Sequence, residues 1–268
     1  MSGRTPFAPR HVPALRIFGA LLHRDLTVAR RDIVSLLVRT TMQPLLFVVV
    51  FGAMLPRMGF MQRGYTAALL PGILAISLAF SSLQSVTMPM LVDFGGTREI
   101  EDRLLAPAPT WLIAFEKVAA GVIQGVFAAL FVLPLARLIM GPIDALSVGH
   151  IGAVIVVTVL GAAAFSAIGL VLGTAISPQN IGLMFSVILA PMIMFGCAYY
   201  PWRSLDRVPA MKVAVLVNPL TYVSEGMRAV LTPGLPHMSL LAILAALTAL
   251  SAGFWWLGLK TFLKKSIG

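Results

Sequence analysis

The sequence predicts an all-α membrane protein: six transmembrane helices, an N-terminal interfacial amphipathic helix, a short cytoplasmic coupling helix, and re-entrant helices on the outer side. Three observations carry this expectation. Of 268 residues, 59% are hydrophobic and 11% charged, where a soluble domain carries about 25% charge, and the mean hydropathy is +0.93. The apolar residues fall in runs close to the roughly 20 residues that cross a bilayer. The basic residues gather in the short hydrophilic stretches beside those runs, where the positive-inside rule puts them.

Residues 1–35 form a cytoplasmic tail and interfacial helix. Leu15, Phe18, Leu22 and Leu26 recur at helical spacing, followed by Ile33, Leu36 and Leu37, and the face between them carries Arg16, Arg24, Arg30 and Arg31. That is the pattern of a basic amphipathic helix lying in the membrane interface. The same arginines break up any signal-peptide core, so the first span is expected to be retained as its own insertion signal. Residues 36–268 form the membrane domain, with spans at about 36–55, 67–92, 112–138, 150–174, 181–199 and 239–259. Both termini then lie on one side. That side holds about twelve Lys and Arg against about six on the other, which makes it cytoplasmic.

Between spans two and three, residues 93–111 read as a short charged helix. Gly95 and Gly96 end the preceding span, Thr97 is a possible N-cap with Glu99 in the first turn, and Pro107 and Pro109 stop the helix. Ile100 and Leu104 form an apolar ridge, flanked by Arg98, Glu101, Asp102 and Arg103, with Leu105 following. Glu99 and Arg103 are an i, i+4 pair. On the other side, residues 200–238 hold too many charges and prolines to span. The segments 208–217 and 220–231 nevertheless keep helix-compatible apolar content around an Asn218-Pro219 break, as two short helices dipping into the outer half of the membrane would. Glu225 and Arg228, at i, i+3, are expected to pair and to lower each other's desolvation cost.

Inside the spans, Ser77, Ser81 and Ser85 recur at i+4, with Gln84 beside them and Gln124 in span three. This stripe is a candidate substrate path, although membrane-helix serines also hydrogen-bond neighbouring helices. The pairs Gly121 with Gly125 and Gly169 with Gly173 mark close helix packing, including against a second copy of the chain.

Several chemistries find no residues. The four histidines are scattered, the single cysteine, Cys197, allows neither a disulfide within the chain nor a multi-cysteine metal site, and no H-E-x-x-H or G-x-S-x-G occurs. No metal or catalytic residue is assigned. The net charge of +10 follows membrane topology rather than nucleic-acid binding. No lysine follows a glycine-rich loop, so the chain is expected to bind no nucleotide itself. Powered transport would need a separate subunit, for which the charged 93–111 helix is the natural docking point. An ion-coupled secondary transporter acting without an ATPase is the alternative, and the absence of a carboxylate deep in a span argues against it.

The sequence resembles the permease subunits of ABC-2 type exporters, a group that includes antibiotic-resistance and nodulation-factor permeases. The resemblance rests on Leu70-Pro71-Gly72, on Gly96-Thr97-Arg98-Glu99 and Arg103-Leu104-Leu105-Ala106-Pro107, and on Tyr200-Pro201 followed by Asn218-Pro219-Leu220-Thr221-Tyr222, Glu225 and Arg228. It implies a permease dimer, homo- or heteromeric, on two ATPase subunits that carry the ATP and Mg, embedded among membrane lipids of a bacterial cytoplasmic membrane. It implies export of a drug-like, lipid or glycan substrate, a coupling role for residues 98–105 and Pro107, and an outer gate built from Tyr200, Pro201, Asn218, Pro219, Tyr222, Glu225 and Arg228. The loop departs from the family's usual R-E-K-G-T-L-E-x-L-L-x-T-P in being more acidic over residues 100–102 and in doubling the proline after Ala106.

Overall fold

In lipid the backbone must satisfy its own polar groups, which long apolar runs do as helices. Every regular element among the described residues of the computed structural model is helical. Those residues are 13–31, 33–60, 65–95, 109–141, 149 and 151–267. The expected coupling helix, from Arg98 through Pro107, lies outside them.

In chain order the elements begin with α1 (Ala14–Arg31) and α2 (Ile33–Phe47). A π-helical segment (Val48–Met54) and a final turn (Leu55–Arg57) continue α2. Then come α3 (Tyr65–Gly95), α4 (Thr110–Met140) and α5 (Ile151–Ala175). A 3-10 turn (Pro178–Asn180) leads into α6, assembled from Ile181–Leu183, a π-helical segment (Met184–Leu189) and Ala190–Met194. The short α7 (Pro209–Ala214) and α8 (Pro219–Leu231) precede the last helix, α9 (Leu240–Ile267).

Four of these, α3, α4, α5 and α9, are long and apolar enough to cross a membrane. The first and fifth expected spans correspond to shorter apolar helices, Pro44–Arg57 and Pro178–Met194. The fifth stops five residues before the expected end at 199. Gly196 follows it, and Cys197 takes a left-handed φ of 51° that no helix contains.

The bundle is built around α3, whose most apolar stretch is 83% buried, compared with 11% for α9. It packs against α2, α4, α5 and α8, while α9 lies mainly along α5. Leu69, Leu70, Ile73, Ile76, Leu78 and Leu83 of α3 are the centre of the core, met by Val132 of α4, Phe165 of α5, Val223 and Met227 of α8, and Ile243 of α9. A smaller cluster closes the other end of α3, where Val86 and Met90 meet Ile113, Leu170 and Phe262.

The glycine pairs do their packing inside this chain. A Cβ on Gly125 would fall 1.8 Å from Ser82 Oγ, and one on Gly169 would fall 2.7 Å from the Leu83 carbonyl oxygen. Thr87 Oγ1 donates to the Gly169 carbonyl across the same seam at 3.1 Å. The expectation that these faces also serve a second copy is therefore corrected: α3 already occupies them.

Gly72 marks the tightest crossing. The chain after α6 passes over α3 so closely that a Cβ there would fall 1.8 Å from the Ala198 carbonyl oxygen. Backbone cannot yield as a side-chain tip does, so Gly72→Ala should cost about 1–3 kcal/mol by overpacking. Gly253→Ala, with nothing within 4 Å of its Cβ, should be neutral. The thermal midpoints of the two purified variants in detergent check this: equal midpoints would mean that the crossing is looser than described.

Candidate functional site

The Asn-Pro-Leu-Thr-Tyr element opens α8, and each of its residues has a distinct physical task. Asn218 is the N-cap, its Oδ1 accepting from the Leu220 amide at 3.0 Å. Its Nδ2 donates to the Met192 carbonyl at 2.7 Å, which ties the start of α8 to the end of α6. Pro219 occupies the first helical turn, where a missing N–H costs nothing. Leu220 is buried. Thr221 Oγ1 and the Tyr222 hydroxyl fold back to donate to the Val215 and Leu216 carbonyls, at 2.7 and 2.8 Å. Those carbonyls belong to the 3-10 turn (Val215–Val217) that joins α7 to α8, so the break is held from both sides.

Two turns on, Glu225 and Arg228 are both fully buried, with Arg228 Nη1 2.5 Å from Glu225 Oε1. The same oxygen accepts the Trp202 amide at 2.9 Å, and Oε2 accepts the Met238 amide at 2.7 Å. Arg228 Nη2 donates to the carbonyls of Ala68 and Cys197, each at 3.2 Å. One ion pair thus joins α3, the chain after α6, the turn opened by Pro201 (Trp202–Arg207), α8 and the entry to α9. The left-handed φ of Cys197 sits in the segment whose carbonyl the guanidinium takes. Tyr199 packs beside this junction against Phe47 of α2, with ring centroids 5.0 Å apart, and its carbonyl accepts from the Tyr65 hydroxyl at 3.1 Å. Tyr200 is half-buried on the same stretch. Of the seven residues expected at the outer gate, all lie in or beside this junction.

The expected substrate-path residues sit elsewhere. Ser77 and Ser81 are buried, Gln84 nearly so, and Ser85 and Gln124 are half-buried. Ser81 Oγ donates to the Gln124 carbonyl at 3.2 Å, crossing from α3 to α4, while Ser85 Oγ donates to Ser82 of its own helix at 3.0 Å. These bonds are of the helix-packing kind. The opening between α3, α5 and α6 is purely apolar, lined by Ile76, Phe80, Leu83, Phe165, Met192 and Leu220 among others.

At the opposite end of α3 is an arrangement the sequence reading missed. Lys117, 2% exposed inside α4, is ion-paired to Asp25 of α1. Phe18 of α1 packs tilted against Phe115 with ring centroids 5.7 Å apart, and Phe115 meets Trp255 of α9 edge-on at 5.8 Å. Glu116, next to Lys117 in α4, and Asp93, near the end of α3, are also buried. Lys265 of α9 donates to the Thr174 carbonyl of α5 at 2.9 Å. The signals were a Glu-Lys pair within an apolar run and one acid on an otherwise basic helix. Among the described residues no group of His, Cys, Asp or Glu is arranged to hold a metal ion.

A family model described as "ABC-2 type transporter" matches residues 16–232 of the chain. That stretch takes in nearly all of α1, Glu225 and Arg228, and residues 98–107. Among curated proteins, the chain is 27% identical over 218 residues to "Inner membrane transport permease YadH" of Escherichia coli K12, covering 79% of this chain and 80% of that protein. The protein of the same name from Shigella flexneri matches to the same extent.

The junction predicts an asymmetric response to mutation. Glu225→Ala strands Arg228 in a buried site and should cost about 3–5 kcal/mol. The double change Glu225→Leu with Arg228→Met removes both charges and should recover part of that loss. Recovery is incomplete because the Trp202 and Met238 amides lose their acceptor, at about 1–3 kcal/mol each. Detergent-solubilised yield and melting midpoint of the parent and the two variants give the check, and a Glu225→Ala variant as stable as the parent would show the pair to be solvated.

Proposed function

The chain belongs to the ABC-2 type transporter family, a transport permease with several membrane-crossing helices, and on that premise we propose that it is the permease subunit of an ATP-driven exporter. A separate ATPase, present in two copies and carrying ATP and Mg, drives two copies of the permease, which move a drug-like, lipid or glycan substrate outward across the cytoplasmic membrane. In this reading the shorter helices Pro44–Arg57 and Pro178–Met194 complete the six crossings, both termini are cytoplasmic, and α7 and α8 re-enter from the outer side.

The observation that carries this function is the buried Glu225–Arg228 junction, which ties the α8 end of the bundle into one unit. A cap joined to α3 and to α9 can act as an outer gate, because whatever tilts those helices from the far end must move it. Ser77, Ser81, Gln84 and Ser85 of α3 with Gln124 of α4 remain the proposed substrate path. They are packed in a helix seam, so that seam has to part during transport.

Residues 98–105 with Pro107 form the proposed ATPase contact. An exposed ion pair contributes only about 0–1 kcal/mol, so single changes at Arg98, Glu99, Glu101, Asp102 or Arg103 should do little. Burying Ile100 or Leu104 contributes about 1.5–3 kcal/mol each, enough to change affinity tenfold or more. Leu104→Asp, and Glu101→Pro by breaking the helix at about 3 kcal/mol, should leave an inserted, folded permease that no longer co-purifies with its ATPase or no longer exports. Unchanged association and unchanged substrate-stimulated hydrolysis in both variants would exclude the contact. Uptake driven by a pH gradient without any ATPase would instead favour the ion-coupled carrier.

A further inference from the structure

The contacts of α1 fix its rotation, and the rotation sorts its residues into three faces. Phe18, Leu21 and Asp25 point at the bundle, through the Phe18–Phe115 contact, the small apolar cluster and the Lys117 ion pair. At about 100° per residue, Leu15, Leu22 and Leu26 fall in a second strip beside that face. Leu15 is 85% exposed although strongly apolar. Arg16, His23 and Arg30, seven residues apart, form a third row next to the leucines. All three are exposed, and the row runs about 21 Å along the axis.

Asp25 is the one acidic residue of α1, and it is consumed by Lys117. The ion pair therefore does two things: it sets the register of the helix, and it removes from the exposed side the carboxylate that would partly neutralise the basic row. A leucine strip, exposed at Leu15 and half-buried at Leu22 and Leu26, flanked by an exposed basic row, matches the boundary between acyl chains and headgroups. A second marker lies at the same end of the bundle. Trp256, beside the Trp255 that meets Phe115 edge-on, is 64% exposed with Lys260 Nζ 5.3 Å from its ring, the pairing typical of a membrane–water interface.

We propose that the Arg16–His23–Arg30 row is a docking surface for anionic phospholipid headgroups of the inner leaflet, presented in that direction by the Asp25–Lys117 pair. It rests on the interfacial placement of α1 in the function proposed above, but not on the ATPase contact. Charge complementarity identifies the occupant: a basic residue near an anionic leaflet favours it by up to about fivefold, whereas a zwitterionic headgroup gains no net Coulomb attraction.

The test uses the full chain in phosphatidylcholine vesicles containing trace spin-labelled phosphatidylglycerol or spin-labelled phosphatidylcholine, reading the motionally restricted fraction. The wild-type chain should restrict phosphatidylglycerol several-fold more strongly, and high salt should diminish the preference. Arg16→Gln with Arg30→Gln should abolish most of it while the protein stays monodisperse. Arg203→Gln with Arg207→Gln, near the α8 end, should leave it intact. No preference in the wild-type chain, or one that survives loss of both α1 arginines, would overturn the proposal. Loss of ATPase co-purification with lipid preference unchanged in the α1 variant would also overturn it, by assigning the row to a protein partner. Lipid selection is measured without ATPase or transport, so its failure and the failure of the exporter function are separable.

Discussion

Glu225 and Arg228 can be buried only together. Removing either charge from water costs several kcal/mol, and the pair compensates only if its remaining hydrogen-bonding capacity is also met. Two backbone amides and two backbone carbonyls from separate parts of the chain meet most of it here, the Arg228 Nε alone in the pair being buried without a partner. That requirement explains the path of the chain between α6 and α9: the left-handed turn at Cys197, the approach of Ala198 onto Gly72, and the 3-10 turn that aims the Trp202 amide inward. A segment that looks like a long polar loop by composition is therefore a cap, because two of its charges, Glu225 and Arg228, point into the protein while Arg203, Asp206 and Arg207 stay exposed.

The other end of the bundle solves a similar problem differently. Lys117 is carried into a low-dielectric site by α4, and its counter-charge comes from a helix otherwise rich in arginine. The aromatic sequence Phe18, Phe115, Trp255 adds a nonpolar contact between the same helices, so α1 is joined to α4 and α9 rather than lying loose beside them. The two ion pairs sit at opposite ends of α3, the helix with the most buried core positions. In the proposed exporter this gives force applied near α4 a packed route to the cap, through side chains that leave little room for independent motion.

The seam between α3 and its neighbours is the place where small residues matter most. Gly121, Gly125, Gly169 and Gly173 let α4 and α5 approach so closely that serine and threonine hydroxyls fill the remaining space. In a membrane such packing substitutes for the hydrophobic effect, which does not distinguish a lipid tail from a leucine. It also means that the polar stripe on α3 serves adhesion in this conformation.

The sequence by itself determined the helical class, the long spans, the basic amphipathic character of α1 and the family, because run length, periodicity and a motif such as Asn218-Pro219-Leu220-Thr221-Tyr222 are local properties of the chain. The pairing of Glu225 with Arg228 was legible for the same reason, being an i, i+3 relation on one helix. Only the tertiary structure decided what lay beyond local reach. The partners of that pair come from Ala68, Cys197, Trp202 and Met238; Asp25 finds Lys117 across 92 positions; and the glycine pairs turn toward α3. Periodicity gives the faces of a helix, but which neighbour each face meets depends on the whole bundle closing around buried charges and backbone contacts that no single segment contains.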